Sequence, residues 1–297
     1  MLSYRKLAMR VLGRPLHTGG GISSPRPASQ RAAAFILTAA MLTTLTAPAF
    51  AKTWDIADGD ITVKAGEAEG PNKVKQGDSD FVKDEGDTII TGTSNQNTVT
   101  IEAENKGDKV EVTLKDLNID ASSTGSAAVS VTGKGDTNIE LDGSNKLQSG
   151  RDYAGLEHNQ TVDGEGNVTS GKLTIQDDND EAGSLDATGG RGGAGIGGGM
   201  SKDGQATITG GTITANGGKL ASGIGGGAGS RIGKIIGSGD VEITGGTITA
   251  TGNSGGAGIG GGLSGDGNVR ISGGTIISAV SDGSNPDDYG GAGIGGG

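Results

Sequence analysis

Asp177, Asp178, Asn179, Asp180 and Glu181 stand consecutively in the chain. Hard oxygen donors clustered on a loop are what calcium takes, at about 2.3–2.6 Å. Asp177, Asp178, Asp180 and Glu181 are therefore the candidate metal ligands, and calcium is the implied ion. The run is not an EF-hand, because Ala182 stands where a fifth oxygen is needed and no glutamate occupies position twelve. The competing reading is a solvated acidic loop on an acidic protein. A second acidic insertion, residues 282–288 followed by Tyr289, lies at a different corner of the repeat described below. Asp266 sits in a glycine-rich stretch, but Ser264 and Asn268 break the nonapeptide calcium pattern there.

Nucleophilic catalysis is poorly supplied. His158 is the only histidine after residue 51, and no nucleophile elbow accompanies it, so it reads as an isolated exposed histidine. Arg151, Arg191, Arg231 and Arg270 lie near carboxylates and could serve a calcium-assisted lyase, although solvated surface arginines are the simpler reading. The dinucleotide pattern G-x-G-x-x-G occurs at 193–198, 256–261 and 291–296, but three copies among β patterns do not make one βαβ fingerprint. No catalytic residue and no organic cofactor site are assigned. The expectation is a protein that is not an enzyme, with a polysaccharide lyase left open.

The elements that must position these residues come from a repeat. Ala-Gly-Ile-Gly-Gly-Gly occurs at 194–199, 257–262 and 292–297, with a serine variant at 222–227. Ile-Thr-Gly-Gly-Thr-Ile-Thr-Ala alternates with it at 208–215 and 243–250, and a related copy fills 271–278. From Ile196 to Ile208 is 12 residues and from Ile208 to Ile224 is 16, a unit of 28. The next two units are 35, which is 28 plus seven, and insertions that leave a pattern intact are loops at solenoid corners. Ile208 and Ile213 alternate with threonines, the period of a strand with one buried face. Gly-Gly between them permits φ > 0 at a sharp corner. Stacking then predicts one interior column of Ile208, Ile243 and Ile271.

The pattern continues upstream. Leu173, Ile175, Leu185 and Ala187 match the two strands, Leu156 matches Ile196, and alternation persists through 110–114, 117–119, 129–131 and 139–141. This predicts an all-β parallel β-helix over 96–297 with about seven coils, preceded by a cap region over 52–95. Ile175 to Leu185 spans ten residues where Ile208 to Ile213 spans five, so the acidic run replaces a tight glycine corner. Gly297 falls in mid-repeat without a closing element, which predicts a continuing chain or stacking on another molecule.

Residues 1–51 hold six Lys+Arg and no acid, with a mostly apolar run over 32–47 and Ala49-Phe50-Ala51. That is the form of a secretory signal cleaved after Ala51, leaving no membrane-inserted segment. Of 24 Lys+Arg, 18 lie beyond it against all 35 Asp+Glu, a charge of −17. Such a surface disfavours nucleic acid and anionic membranes and permits cations. The chain contains no cysteine, so no disulfide contributes.

The stretches 117–120, 139–147 and 153–156, with the paired glycine repeats, are similar to those of the secreted carbohydrate-binding, pectate-lyase-like β-helix proteins of Clostridia and related gut Firmicutes. The resemblance covers about 96–297. It implies a right-handed parallel β-helix, calcium at acidic loops and affinity for polysaccharide, acidic glycans included. The scarcity of aromatics places binding on hydrogen bonds and calcium bridges rather than stacking. The expected function is a secreted or cell-surface carbohydrate-binding protein. A structural or adhesive stalk is the alternative and a polysaccharide lyase comes third; an ice-binding threonine ladder is interrupted by Glu242, Arg270 and Ile277.

Overall fold

The computed structural model describes residues 52–67, 70–229, 237–282 and 290–297. Residues 1–51, the seven-residue stretches 230–236 and 283–289, and with the latter most of the second acidic insertion lie outside the described residues.

Alternation of side chains writes the strands. In Lys109–Asp120 the residues Val110, Val112 and Leu114 are buried while Lys109 and Glu111 face out. Such a segment has one apolar face, which only a neighbouring coil can cover. The first wall is a parallel stack of Ile61–Lys64, Val99–Ala103, Val129–Gly133, Leu156–His158, Ile196–Gly197, Ile224–Gly225, Ile259–Gly260 and Ile294–Gly295. Seven of these strands fall in 96–297, as the repeat predicts, and Ile61–Lys64 adds one before them. The antiparallel pairing of Lys73–Gln76 with Ile61–Lys64, and of Val82–Lys83 with Lys73–Gln76, covers that edge of the stack.

The second sheet forms the rest of each coil. Lys109–Asp120 and Asp136–Gln148 run unbroken, and the next coil divides the same path into Leu173–Gln176 and Gly183–Thr188. Later coils keep the division, as in Gly204–Ile208 and Thr212–Asn216. Ile139, Ile175, Ile208, Ile243 and Ile271 are in register, which establishes the parallel β-helix; the first four are buried as an interior column, whereas Ile271 continues the row but is exposed. Each fully buried isoleucine contributes about 1.5–3 kcal/mol.

The glycine corner has two separate causes. Gly211, Gly246 and Gly274 hold φ of 81°, 82° and 79°, the left-handed region that glycine enters without strain. Gly245 before the corner has no such φ, yet a Cβ there would stand 1.9 Å from the Thr209 carbonyl oxygen of the neighbouring coil. One glycine turns the chain; the other lets two coils approach.

A polar residue, Asn145, occupies one interior column. Asn145 is in register with Leu185 and is buried. Its Oδ1 accepts from Leu117 N at 3.0 Å, and its Nδ2 donates to Asp142 O and Ser184 O at 3.1 Å each. It binds backbone groups where the long strands bend, at the irregular pairing between Lys115 and Asn118.

Candidate functional site

The acidic run is held down by its neighbours. It joins Leu173–Gln176 to Gly183–Thr188, and Glu140 Oε1 accepts from Asp178 N at 3.0 Å. Asn179 Nδ2 donates to Asp142 Oδ1 at 2.6 Å, and Lys115 Nζ lies 2.6 Å from Glu181 Oε2. The charge of Glu181 is thus met by a lysine. Asp177, Asp178, Asp180 and Glu181 are not gathered into a ligand set. Among the described residues, no group of three or more His, Cys, Asp or Glu could hold a metal ion. Of its side chains, Asn179 and Glu181 fasten the loop to the two coils before it.

The arginines stay at the surface. Arg151 and Arg270 face Asp152 and Glu242 at 3.6 Å, both well exposed, Arg191 is exposed, and Arg231 lies outside the described residues.

His158 behaves differently from its sequence expectation. It is not exposed but 3% accessible, because Leu156 faces in, Glu157 out and His158 in again. Its partner in register is Val131, which pairs in turn with Ile101. An imidazole therefore occupies an apolar column. No hydrogen bond reaches its Nδ1, an orphan that costs about 1–3 kcal/mol when buried. Burial pushes its pKa down to about 4, so the ring is neutral at physiological pH.

This ring lines a groove of about 670 Å³ on the corner that follows the first wall. Lys64 ends its strand and pairs at 2.7 Å with Glu102, its register partner on the next. Lys134 lies just past Val129–Gly133, and Lys202 just past Ile196–Gly197. Glu104, Val131, Thr132 and Asn159 complete most of the lining. The groove thus crosses five consecutive coils. Beneath it, burial pushes the Glu157 carboxyl up, offset by Ala154 N at 3.0 Å, Asn159 Nδ2 at 2.9 Å and the charge of Lys202. Asn159 Oδ1 accepts from Gly199 N at 2.9 Å, which ties this coil to the next.

Sequence reasoning missed the groove. Lys64, Lys134 and Lys202 recur about once per two coils, far apart in sequence. Placing each on the corner after its Val or Ile column position was the signal that could have brought them together.

A beta helix repeat family model matches residues 207–228 and 241–263, which agrees with the observed parallel coils. No curated protein and no solved structure matches the chain.

Proposed function

We propose that the protein is an extracellular or cell-surface carbohydrate-binding β-helix protein, and that a polysaccharide segment lies along the His158 groove. The observation that carries this reading is the groove itself. It is long, open and rigidly mounted on stacked coils, and it mixes charged, amide and hydroxyl groups with the apolar Val131. Polar groups on a rigid frame suit a ligand rich in hydroxyls, which both donate and accept. The leader-like residues 1–51 supply the argument for export.

The test is retention of the purified full-length protein on a panel of neutral and acidic polysaccharides, with calcium and with chelator. Retention on at least one glycan is expected, weakened by Asn159→Ala and Gln160→Ala in the groove. A folded protein retained by none would overturn the reading.

The stalk alternative draws on the outward rows of Thr212, Thr247 and Thr275 and of Thr214, Thr249 and Ser278, which are bland and regular. β-Helices include lyases as well as proteins that catalyse nothing, and a neutral imidazole beside lysines keeps a lyase testable. Unsaturated products absorbing in the ultraviolet after incubation with polygalacturonate would establish it.

A further inference from the structure

We propose that Asn167 is an acceptor for an N-linked glycan, carried at the tip of a short hairpin that leaves the coil beside the groove. The inference lies beyond sugar binding, because here the chain carries a sugar rather than recognising one. It shares with the proposed function only the reading that the chain is exported.

The chain holds two Asn-x-Ser/Thr sequences without proline in the middle, Asn159-Gln160-Thr161 and Asn167-Val168-Thr169. This is the acceptor pattern for N-glycosylation, and it belongs on a surface loop of an exported protein. Each also has a glutamate two residues ahead, Glu157 and Glu165, so the sequence does not separate them.

The structure does. Asn159 is half-buried and both ends of its amide are engaged: Nδ2 donates to Glu157 Oε1 and Oδ1 accepts from Gly199 N, each at 2.9 Å. Glu157 is itself buried, so a sugar on that nitrogen has no room unless the corner opens. Asn167 stands on an exposed turn. Residues 161–168 are all exposed, the antiparallel Val162–Val168 bridge closes the hairpin, and Thr169 N donates to Thr161 O at 2.7 Å. Asp163 shapes the turn by accepting from Glu165 N and Asn167 N at 2.9 Å each. Asn167 Nδ2 donates to Asp163 Oδ2 at 3.1 Å and to Glu165 Oε2 at 3.4 Å. That nitrogen carries two hydrogens. Glycosylation replaces one, so the bond to Asp163 survives and only the longer one is given up.

A separate feature of the hairpin points the same way. Val162 and Val168 are 51% and 55% exposed, a bare apolar pair on a projecting turn, and Val168 adjoins Asn167. An N-linked glycan is bulky and solubilising and would cover that pair. The sugar comes from a lipid-linked pyrophosphate donor, used by a transferase that acts on exported chains. Asn167 Nδ2 bonds to the anomeric carbon while the bond from that carbon to the pyrophosphate oxygen breaks. The lipid pyrophosphate leaves, and the amide proton passes to a base of the transferase.

The experiment produces the full-length chain, residues 1–51 included, in cells whose exported proteins receive N-linked glycans. Peptides containing Asn159 and Asn167 are then read by mass spectrometry from the exported, folded protein. A glycan mass on Asn167 and none on Asn159 is expected. Thr169→Ala should abolish it and Thr169→Ser should keep it, with export retained in both. An exported, folded protein bare at Asn167, or a glycan that persists in Thr169→Ala, would overturn the proposal. Glycan on Asn159 of the folded protein would overturn the distinction drawn between the two sites. A chain retained in the cytoplasm overturns export and this modification together, while polysaccharide retention of the purified protein reads the binding proposal separately.

Discussion

One row of residues runs the length of the first wall and obeys two rules. In register along it stand Thr62, Thr100, Ser130 and Glu157, and then Gly197, Gly225, Gly260 and Gly295. The first four carry side chains on extended strands, half-buried at Thr62, Thr100 and Ser130 and buried at Glu157. The last four hold φ between 125° and 130°, and a Cβ on Gly225 would stand 2.0 Å from the Gly260 carbonyl oxygen. In the early coils the wall projects side chains; in the late coils backbone packs on backbone. Grooves lined by residues from Ala57 to Asn179, joined by Lys202 of the next coil, lie on the side of the row where side chains project. His158 stands at the change of rule. Chemistry in this solenoid depends on coils that can carry side chains at their corners, and the glycine coils give up that capacity for close stacking.

The comparison breaks most sharply at Gly225→Thr, which imposes the early rule on a late coil. Strain at that φ and the clash with the next coil should cost about 3 kcal/mol or more, measured by denaturant unfolding. The groove end of the comparison is probed by pH. Because the folded His158 pKa lies below 6.5, its contribution to stability is present above pH 6.5 and is lost as pH falls toward 4. The full loss is about 3 kcal/mol. Glu157 has the opposite sign: its raised pKa favours the folded state at low pH, and that advantage fades as pH rises. His158→Val, which restores the residue type of Val131, should flatten the fall between pH 6.5 and 4 relative to the parent. An unchanged slope would show that the ring is not buried as described.

Asn145→Ala tests the bend shared by the unbroken early strands. It leaves Leu117 N without its acceptor and should cost about 1–3 kcal/mol. Ser130→Gly imposes the late residue type on an early coil, where the cost should be only about 0.5–1 kcal/mol. A loss as large as that of Gly225→Thr would erase the distinction between the two rules. The smallest expected effect is that of chelation: EDTA should leave the melting temperature unchanged, because Lys115 rather than a metal meets Glu181. A clear fall would restore calcium to the acidic loop.

The scaffold was legible because the repeat carries it redundantly. Ile208, Ile243 and Ile271 share a residue type and a spacing, and a parallel stack turns equal spacing into register. Degenerate copies such as Leu156 remained readable, since alternation survives substitution of one apolar residue for another. His158 was misread for the complementary reason: its position in the alternation marked it as inward, but its polarity argued for the surface. Asn145 escaped likewise, because a polar residue in an apolar column is explained only by the backbone groups it binds.

The sequence by itself determined a glycine-cornered, parallel β-helix, its interior columns and the place where an acidic run interrupts a corner. Periodicity and glycine geometry are local properties, and they repeat in every coil. Only the tertiary structure decided that Asn179 and Glu181 of that run fasten a loop, and that His158 is buried beside lysines drawn from different coils. Those outcomes depend on what one coil presents to the next, and side chains a full turn of the solenoid apart meet only after the coils have stacked.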